Sequence, residues 1–228
     1  MTENMNDTAT VMQQGWRKDW LRKLLTLSLF VIGGYLYYLV NRYNGMRFTQ
    51  TKPFIFMFPI DRSIPFSRFS AIPYFYWYLY TTITIIVIYF QKQSKYFYKL
   101  LYSMFTAVLI SCIIYIVFPT YVPRMELTGN DILTGMIRSI YQIDPPYNCF
   151  PSMHVFYSFI FCWYLSIYKK HGWLFHTLNI LSFILISLST VYSKQHYTPD
   201  ILGGIAVAVP VCLFFTFTKA GNYSSESN

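Results

Sequence analysis

Apolar residues fall in six long blocks, Leu24 to Val40, Ala71 to Phe90, Leu100 to Phe118, Ser152 to Tyr168, Trp173 to Tyr192 and Ile201 to Phe217, with polar stretches between them. A helix needs about 20 apolar residues to cross a bilayer. The pattern therefore predicts six membrane-spanning helices, with the ends left open for the three blocks of about 17 residues. The first block follows the basic cluster Arg17, Lys18, Arg22 and Lys23, as the apolar region of a signal peptide would. Its apolar core is long and no small-residue cleavage site follows it, so it reads as an uncleaved helix. Residues 1–15 are polar without periodicity, and the end from Gly221 to Asn228 is rich in Ser and Asn. Both read as disordered tails (1–15 and 219–228) around one membrane domain over residues 16–218, which carries no internal repeat.

The segments between blocks on one side are 41–70, 119–151 and 193–200. The second is long for a loop without structure, and long ordered loops are often functional. Within it, "GNDILTGMIRSIYQ" spaces Ile132, Met136, Ile137, Ile140 and Tyr141 along one helix face. This is either an interfacial helix covering a site below it or a plain surface helix.

Composition agrees with the membrane reading. Hydrophobic residues make up 54% of the 228 residues, and charged residues only 12%, against roughly 25% in a soluble domain. The 22 Tyr and 21 Phe fit core packing and interfacial belts. Cysteines 112, 149, 162 and 212 are scattered without a CxxC or metal-ligand spacing, and Cys149 alone is placed for chemistry. The net charge of +9 attracts anionic lipid or nucleic acid. Six spans without a soluble basic domain favour lipid, so the bilayer is the expected partner and nucleic acid is not.

Cationic loops stay cytoplasmic. The N-terminal cluster, Lys92, Lys95, Lys99, Lys169, Lys170 and Lys219 all fall on one side of an alternating six-helix chain. That places both termini in the cytoplasm of a multi-pass cell-membrane protein. Arg42, Arg47, Lys52, Arg62 and Arg68 count against this, because they gather in the first external loop.

Three polar clusters meet on the predicted external side: "YVPRM" with Arg124, "FPSMH" with Ser152 and His154, and "YSKQHYTPD" with Lys194, His196 and Asp200. Two histidines, two cations, a carboxylate and a helix start suit a phosphate. Ser152 is a candidate N-cap, and the free amides of the first turn form an anion site. Arg124 and Lys194 are candidates to neutralise phosphate oxygens, although each alone is more often an interfacial anchor. His196 and Asp200 stand four apart, but Pro199 disfavours helix at Thr198 and suits a first helical position. His196 is thus expected just before the helix and Asp200 in its first turn, where the carboxylate fixes the imidazole tautomer and leaves the other nitrogen free to attack phosphorus. His154 is then the candidate general acid. A lone histidine at a span end is usually only an amphipathic interface residue; two of them beside Ser, Lys and Asp change that reading. A metal is the weaker alternative, since His171 and His176 fall on the cytoplasmic side, and the expected site has neither metal nor cofactor.

At these residues the chain resembles the type 2 phosphatidic acid phosphatase (PAP2) superfamily, over roughly residues 55 to 217. The superfamily takes in lipid phosphate phosphatases, the inositol-phosphorylceramide and sphingomyelin synthase branch, and soluble vanadium haloperoxidases. Its signatures Lys-x6-Arg-Pro, Pro-Ser-Gly-His and Ser-Arg-x5-His-x3-Asp correspond to "YVPRM", "PSMH" and "STVYSKQHYTPD". Val117 stands where the first lysine would be, Met125 replaces the proline, Met153 replaces the glycine while keeping its amide, and Thr190 stands where the third motif has arginine. Lys194 is the candidate substitute for that arginine. "KQHYTPD" and "FPIDRSIPFSRFSAIPYFYWY" look most like the synthase branch, which makes Arg62 and Arg68 weak headgroup candidates beside their reading as bilayer anchors.

The resemblance implies an all-α, six-transmembrane-helix bundle of PAP2 type with its site at the external membrane face. It implies metal-independent double displacement through a phosphohistidine at His196, with His154 as general acid and Asp200 orienting His196. Arg124, Lys194, Ser152 and the Met153 amide would steady the phosphoryl oxygens. Three functions remain open: a phosphatase for phosphatidic acid, phosphatidylglycerophosphate or a polyprenyl diphosphate; a phosphotransferase moving a phosphorylated headgroup between lipids; and a non-catalytic membrane scaffold. The oligomeric state is not legible.

Overall fold

The computed structural model describes residues 2–90, 94–168 and 172–222. Among them run seven α-helices: α1 (Thr2–Arg47), α2 (Ala71–Tyr89), α3 (Ser94–Val117), α4 (Ile132–Ile143), α5 (Met153–Tyr168), α6 (Trp173–Tyr192) and α7 (Thr198–Phe217). Strand-like pairing among the described residues is limited to two isolated bridges, Phe54–Thr120 and Tyr121–Tyr147. The protein is an all-α membrane bundle. Lys92, Lys169, Lys170, His171 and the tail 223–228 lie outside the described residues, as do the side chains of Arg17 and Lys18.

Among the described residues, five helical stretches are long and apolar enough to cross a bilayer: Asp19–Arg47, Arg68–Tyr89, Ser94–Val117, Trp173–Tyr192 and Thr198–Phe217. The fourth predicted span corresponds to α5, described over the 16 residues Met153–Tyr168. It packs against α2, α3, α6 and α7 and buries Val155, Phe156, Ile160, Phe161 and Tyr164. A helix apolar on all sides sits inside a bundle, so α5 is enclosed mainly by other helices. The outer helices instead expose Leu25, Val31, Ile113, Leu178 and Phe214, as lipid-facing surfaces do.

The helix of α1 begins at Thr2, inside the stretch expected to be a disordered tail. Once a span has nucleated, each further residue adds a hydrogen bond, and no proline interrupts residues 2–47. The amphipathic segment after α3 does form a helix, α4. It buries Ile137 and Ile140 against Ala71 and Tyr74 of α2, with Met136 and Tyr141 partly buried beside them, whereas Ile132 is 83% exposed. Asp131 caps α4 through the Thr134 amide and pairs with Arg68 at 2.9 Å. The Thr134 hydroxyl and amide, together with Arg68, hold the Asp131 carboxyl down at about 2.

Alternating helix directions bring the ends of α3 and α6 and the starts of α2, α5 and α7 to one end of the bundle. The Ser67 amide, donating to the Tyr192 carbonyl at 3.0 Å, ties the α2 approach to the end of α6 there. At the opposite end Lys99 donates to the carbonyls of Thr216 and Thr218, at the C-terminus of α7, where a cation is favoured. Close approach of α5 and α7 depends on Gly204, because a Cβ there would stand 2.9 Å from the Ser152 carbonyl oxygen and 2.9 Å from Val155 Cβ.

Candidate active site

His196 is shaped by the turn that follows α6. The amides of Gln195 and His196 both donate to the Thr190 carbonyl, at 2.9 and 3.0 Å, which folds the chain back over the helix end. Lys194 takes a left-handed backbone conformation to make this turn (φ 56°), which is uncommon outside glycine. His196 thus precedes α7 and Asp200 lies in its first turn. The two meet with Nδ1 of His196 3.1 Å from Oδ2 of Asp200. An ionised carboxylate only accepts hydrogen bonds, so this contact selects the tautomer with the proton on Nδ1 and the lone pair on Nε2. The same Asp200 oxygen accepts from the Tyr197 amide at 2.9 Å. The two loops are joined by the Ser152 amide, which donates to the Asp200 carbonyl at 3.0 Å.

His154 comes from the first turn of α5. Its ring lies between Tyr74 and Trp77 of α2, each with a centroid separation of 4.7 Å, and its Nδ1 has no hydrogen-bond partner. It faces His196 edge-on at 6.0 Å between ring centroids. Both histidines are buried.

The candidate phosphate ligands are deployed more unevenly. Ser152 sits at the position ahead of α5, but its hydroxyl caps nothing: the buried Oγ has no partner, and the helix begins with its carbonyl accepting from the Phe156 amide. Met153 is half-buried at the helix start. Arg124 spends its terminal nitrogens on the backbone, Nη1 on the carbonyls of Lys194 and Gln195 and Nη2 on that of Asp144, leaving its buried Nε without a partner. It therefore fastens the His196 loop to the loop leading into α5. Lys194 donates to the Ile64 carbonyl. Thr190 is buried in α6 and donates to the Ser187 carbonyl, while Val117 is 77% exposed.

An open groove of about 350 Å³ lies beside this centre, lined by Met57, Asp61, Arg62, Pro123, Arg124, Met125, Lys194 and Tyr197. Arg62 is on its wall. Arg68 is not; its guanidinium is committed to Asp131. Cys149 is buried and donates to the Pro146 carbonyl, and burial pushes its thiol well up, away from the reactive thiolate.

Two carboxylates absent from the sequence reading turn out to organise the site. Asp61 is buried and accepts from the Thr198 amide and hydroxyl, at 2.8 and 2.9 Å, and from the Phe58 amide at 2.8 Å. It thereby satisfies the first turn of α7. Asp144 accepts from the Tyr37 hydroxyl at 2.9 Å, and one ligand atom each from Asp144, His154 and His196 lie within 4.8 Å of one another. These are metal-ligand residue types, but the limit is looser than the about 3.4 Å that bonds of about 2.1 Å give between tetrahedral zinc ligands. No ion is assigned to them.

The order of the polar clusters, the carboxylate-held histidine and the second histidine facing it fit one set of proteins. A family model of the PAP2 superfamily matches residues 56–214. The chain belongs to the PAP2 superfamily. The match runs from the groove segment ahead of α2 to near the end of α7, so it spans every candidate site residue read from the sequence. PAP2 membership makes this an enzyme of the phosphatase and phosphotransferase type that acts on lipids, and the apolar helices make it a multi-pass membrane protein. No curated protein matches the chain.

Proposed function

We propose that this PAP2 protein is a membrane lipid phosphatase that hydrolyses a phosphomonoester or diphosphate of a lipid, of the phosphatidic acid, phosphatidylglycerophosphate or polyprenyl diphosphate class, without a metal. The observation that carries this reading is the His196–Asp200 pair opposite His154, opening beside a groove that holds Arg62, Arg124 and Lys194. The distribution of Lys and Arg supports an extracytoplasmic site.

In the first step the Nε2 lone pair of His196 forms a bond to phosphorus as the bond to the leaving oxygen breaks. The leaving oxygen takes the electron pair and a proton from His154, and Asp200 balances the positive charge left on His196. In the second step water attacks phosphorus and gives its proton to His154, and the P–N pair returns to His196. The Ser152 hydroxyl, the Met153 amide, the Arg124 Nε and the two donors left on Lys194 are the groups available to the phosphoryl oxygens.

The phosphotransferase reading keeps the first step and replaces water with an alcohol. It is favoured by the empty motif cation positions, since exposed Val117 and buried Thr190 leave the site less cationic than a phosphomonoester dianion would favour. Product analysis separates the two. Purified protein is given lipid phosphates and diphosphates, with chelator, with and without acceptor alcohols. Free phosphate without an acceptor establishes the phosphatase; product only with an alcohol establishes the transferase. No product from either overturns both.

A further inference from the structure

His154 has a difficulty built into its position. A general acid must carry a proton, yet this imidazole is buried between two aromatic rings with no partner on Nδ1. Burial disfavours the charged form of a histidine unless an opposite charge stands near it. The Tyr74 and Trp77 faces help a cation modestly but bring no negative charge. On the α7 side, Asp200 accepts from His196 and the Tyr197 amide on Oδ2, and its Oδ1 is buried without a partner. Of the remaining groups around it, His196 and Arg124 bring no negative charge, whereas Asp144 holds a carboxylate oxygen within 4.8 Å of a His154 ring nitrogen. From α3, Tyr115 gives its hydroxyl to the Pro151 carbonyl at 2.6 Å. Cys149, in the loop before α5, is a buried neutral thiol.

Asp144 is well held for such a part. The Tyr37 hydroxyl of α1 donates to Oδ1, and Arg124 grips its backbone carbonyl at 2.8 Å. It sits in none of the three family signatures, and it reaches both histidines from a third segment of chain.

We propose that Asp144 is a positioning residue whose negative charge, within 4.8 Å of the ring, favours the protonated form of His154 for the first step and its recovery of the water proton in the second. This rests on the phosphohistidine reading above. In chemical terms Asp144 forms no bond to substrate; it changes which fraction of His154 holds a proton at neutral pH.

The test compares Asp144→Asn and Asp144→Glu with the wild type, measuring kcat and KM against pH on a lipid phosphate and on 4-nitrophenyl phosphate. Nitrophenolate departs without needing a proton. With the lipid phosphate, Asp144→Asn is expected to lower kcat about 10- to 100-fold at neutral pH, with KM little changed, and to move the alkaline limb of the profile about one pH unit lower. With 4-nitrophenyl phosphate the loss is expected to stay within about threefold, and Asp144→Glu restores most of the lipid phosphate rate. Asn keeps an acceptor for Tyr37, and an unchanged melting temperature confirms that the fold is retained. An unmoved limb, or an equal loss on both substrates, overturns the role of Asp144 while leaving the phosphatase reading intact. No turnover by the wild type on either substrate overturns both.

Discussion

The loop before α7 and the first turn of α5 each deliver one histidine, and they hold it in opposite ways. His196 is fixed through hydrogen bonds: its amide on Thr190, its Nδ1 on Asp200, and the loop behind it pinned by Arg124. His154 is fixed by shape, between Tyr74 and Trp77, with no hydrogen bond on Nδ1. A nucleophile needs one tautomer and a constant lone-pair direction, which hydrogen bonds supply. A group that must release and regain a proton in each cycle works better in a cradle that grips the ring and not the proton. The contrast fits the roles proposed above, His196 as nucleophile and His154 as general acid.

The comparison breaks most completely at the tautomer lock. Asp200→Asn places an amide against Nδ1 and permits the wrong tautomer; we expect kcat to fall by about 10³- to 10⁴-fold with substrate binding retained. Loss of binding with a normal rate constant for bound substrate would instead make Asp200 structural. Next is His154→Gln, expected to lower turnover of a lipid phosphate by about 10²- to 10³-fold while sparing an aryl phosphate. Equal losses on the two substrates would remove His154 from the acid role.

Gly204→Ala tests the joint that brings the two histidines together. Alanine favours a helix over glycine by about 1 kcal/mol, but its Cβ would press on the Ser152 carbonyl and Val155, and overpacking costs about 1–3 kcal/mol. The backbone oxygen cannot rotate away, so a lower melting temperature and slower turnover are expected; a stabilised variant would show that α5 and α7 can separate without harm. The smallest effect belongs to Lys194→Ala. Its ammonium already has the Ile64 carbonyl, so a rise in KM of about 3- to 10-fold with kcat nearly unchanged is expected. No change in KM would leave Lys194 as a loop fastener alone.

The helices were legible because periodic apolar blocks report their own burial. His196, Asp200 and His154 were legible because alternation of spans puts their clusters at one end, and Pro199 marks the start of α7. The enclosure of α5 was not legible, since a block enclosed by protein and one facing lipid look alike in sequence. Asp61 and Asp144 left no trace. They are single carboxylates in irregular loops, and their partners Thr198 and Tyr37 are 137 and 107 positions away. Arg124 was found, but its service to three backbone carbonyls was not, because a sequence does not show where loop carbonyls converge. The hydroxyl of Ser152 misled for the reverse reason: its position suits an N-cap, yet in the fold only its backbone is engaged.

In the proposed mechanism His196 carries the phosphoryl group between the two steps. The most direct measurement is rapid acid-free quenching of the protein during turnover of a labelled lipid phosphate, followed by peptide mapping of the bound phosphoryl group and parallel turnover of His196→Ala. The account predicts an acid-labile phosphoryl group on His196 and a loss of about 10⁴-fold or more in the variant. A phosphoryl group on another residue, or near-normal turnover by His196→Ala, would contradict it.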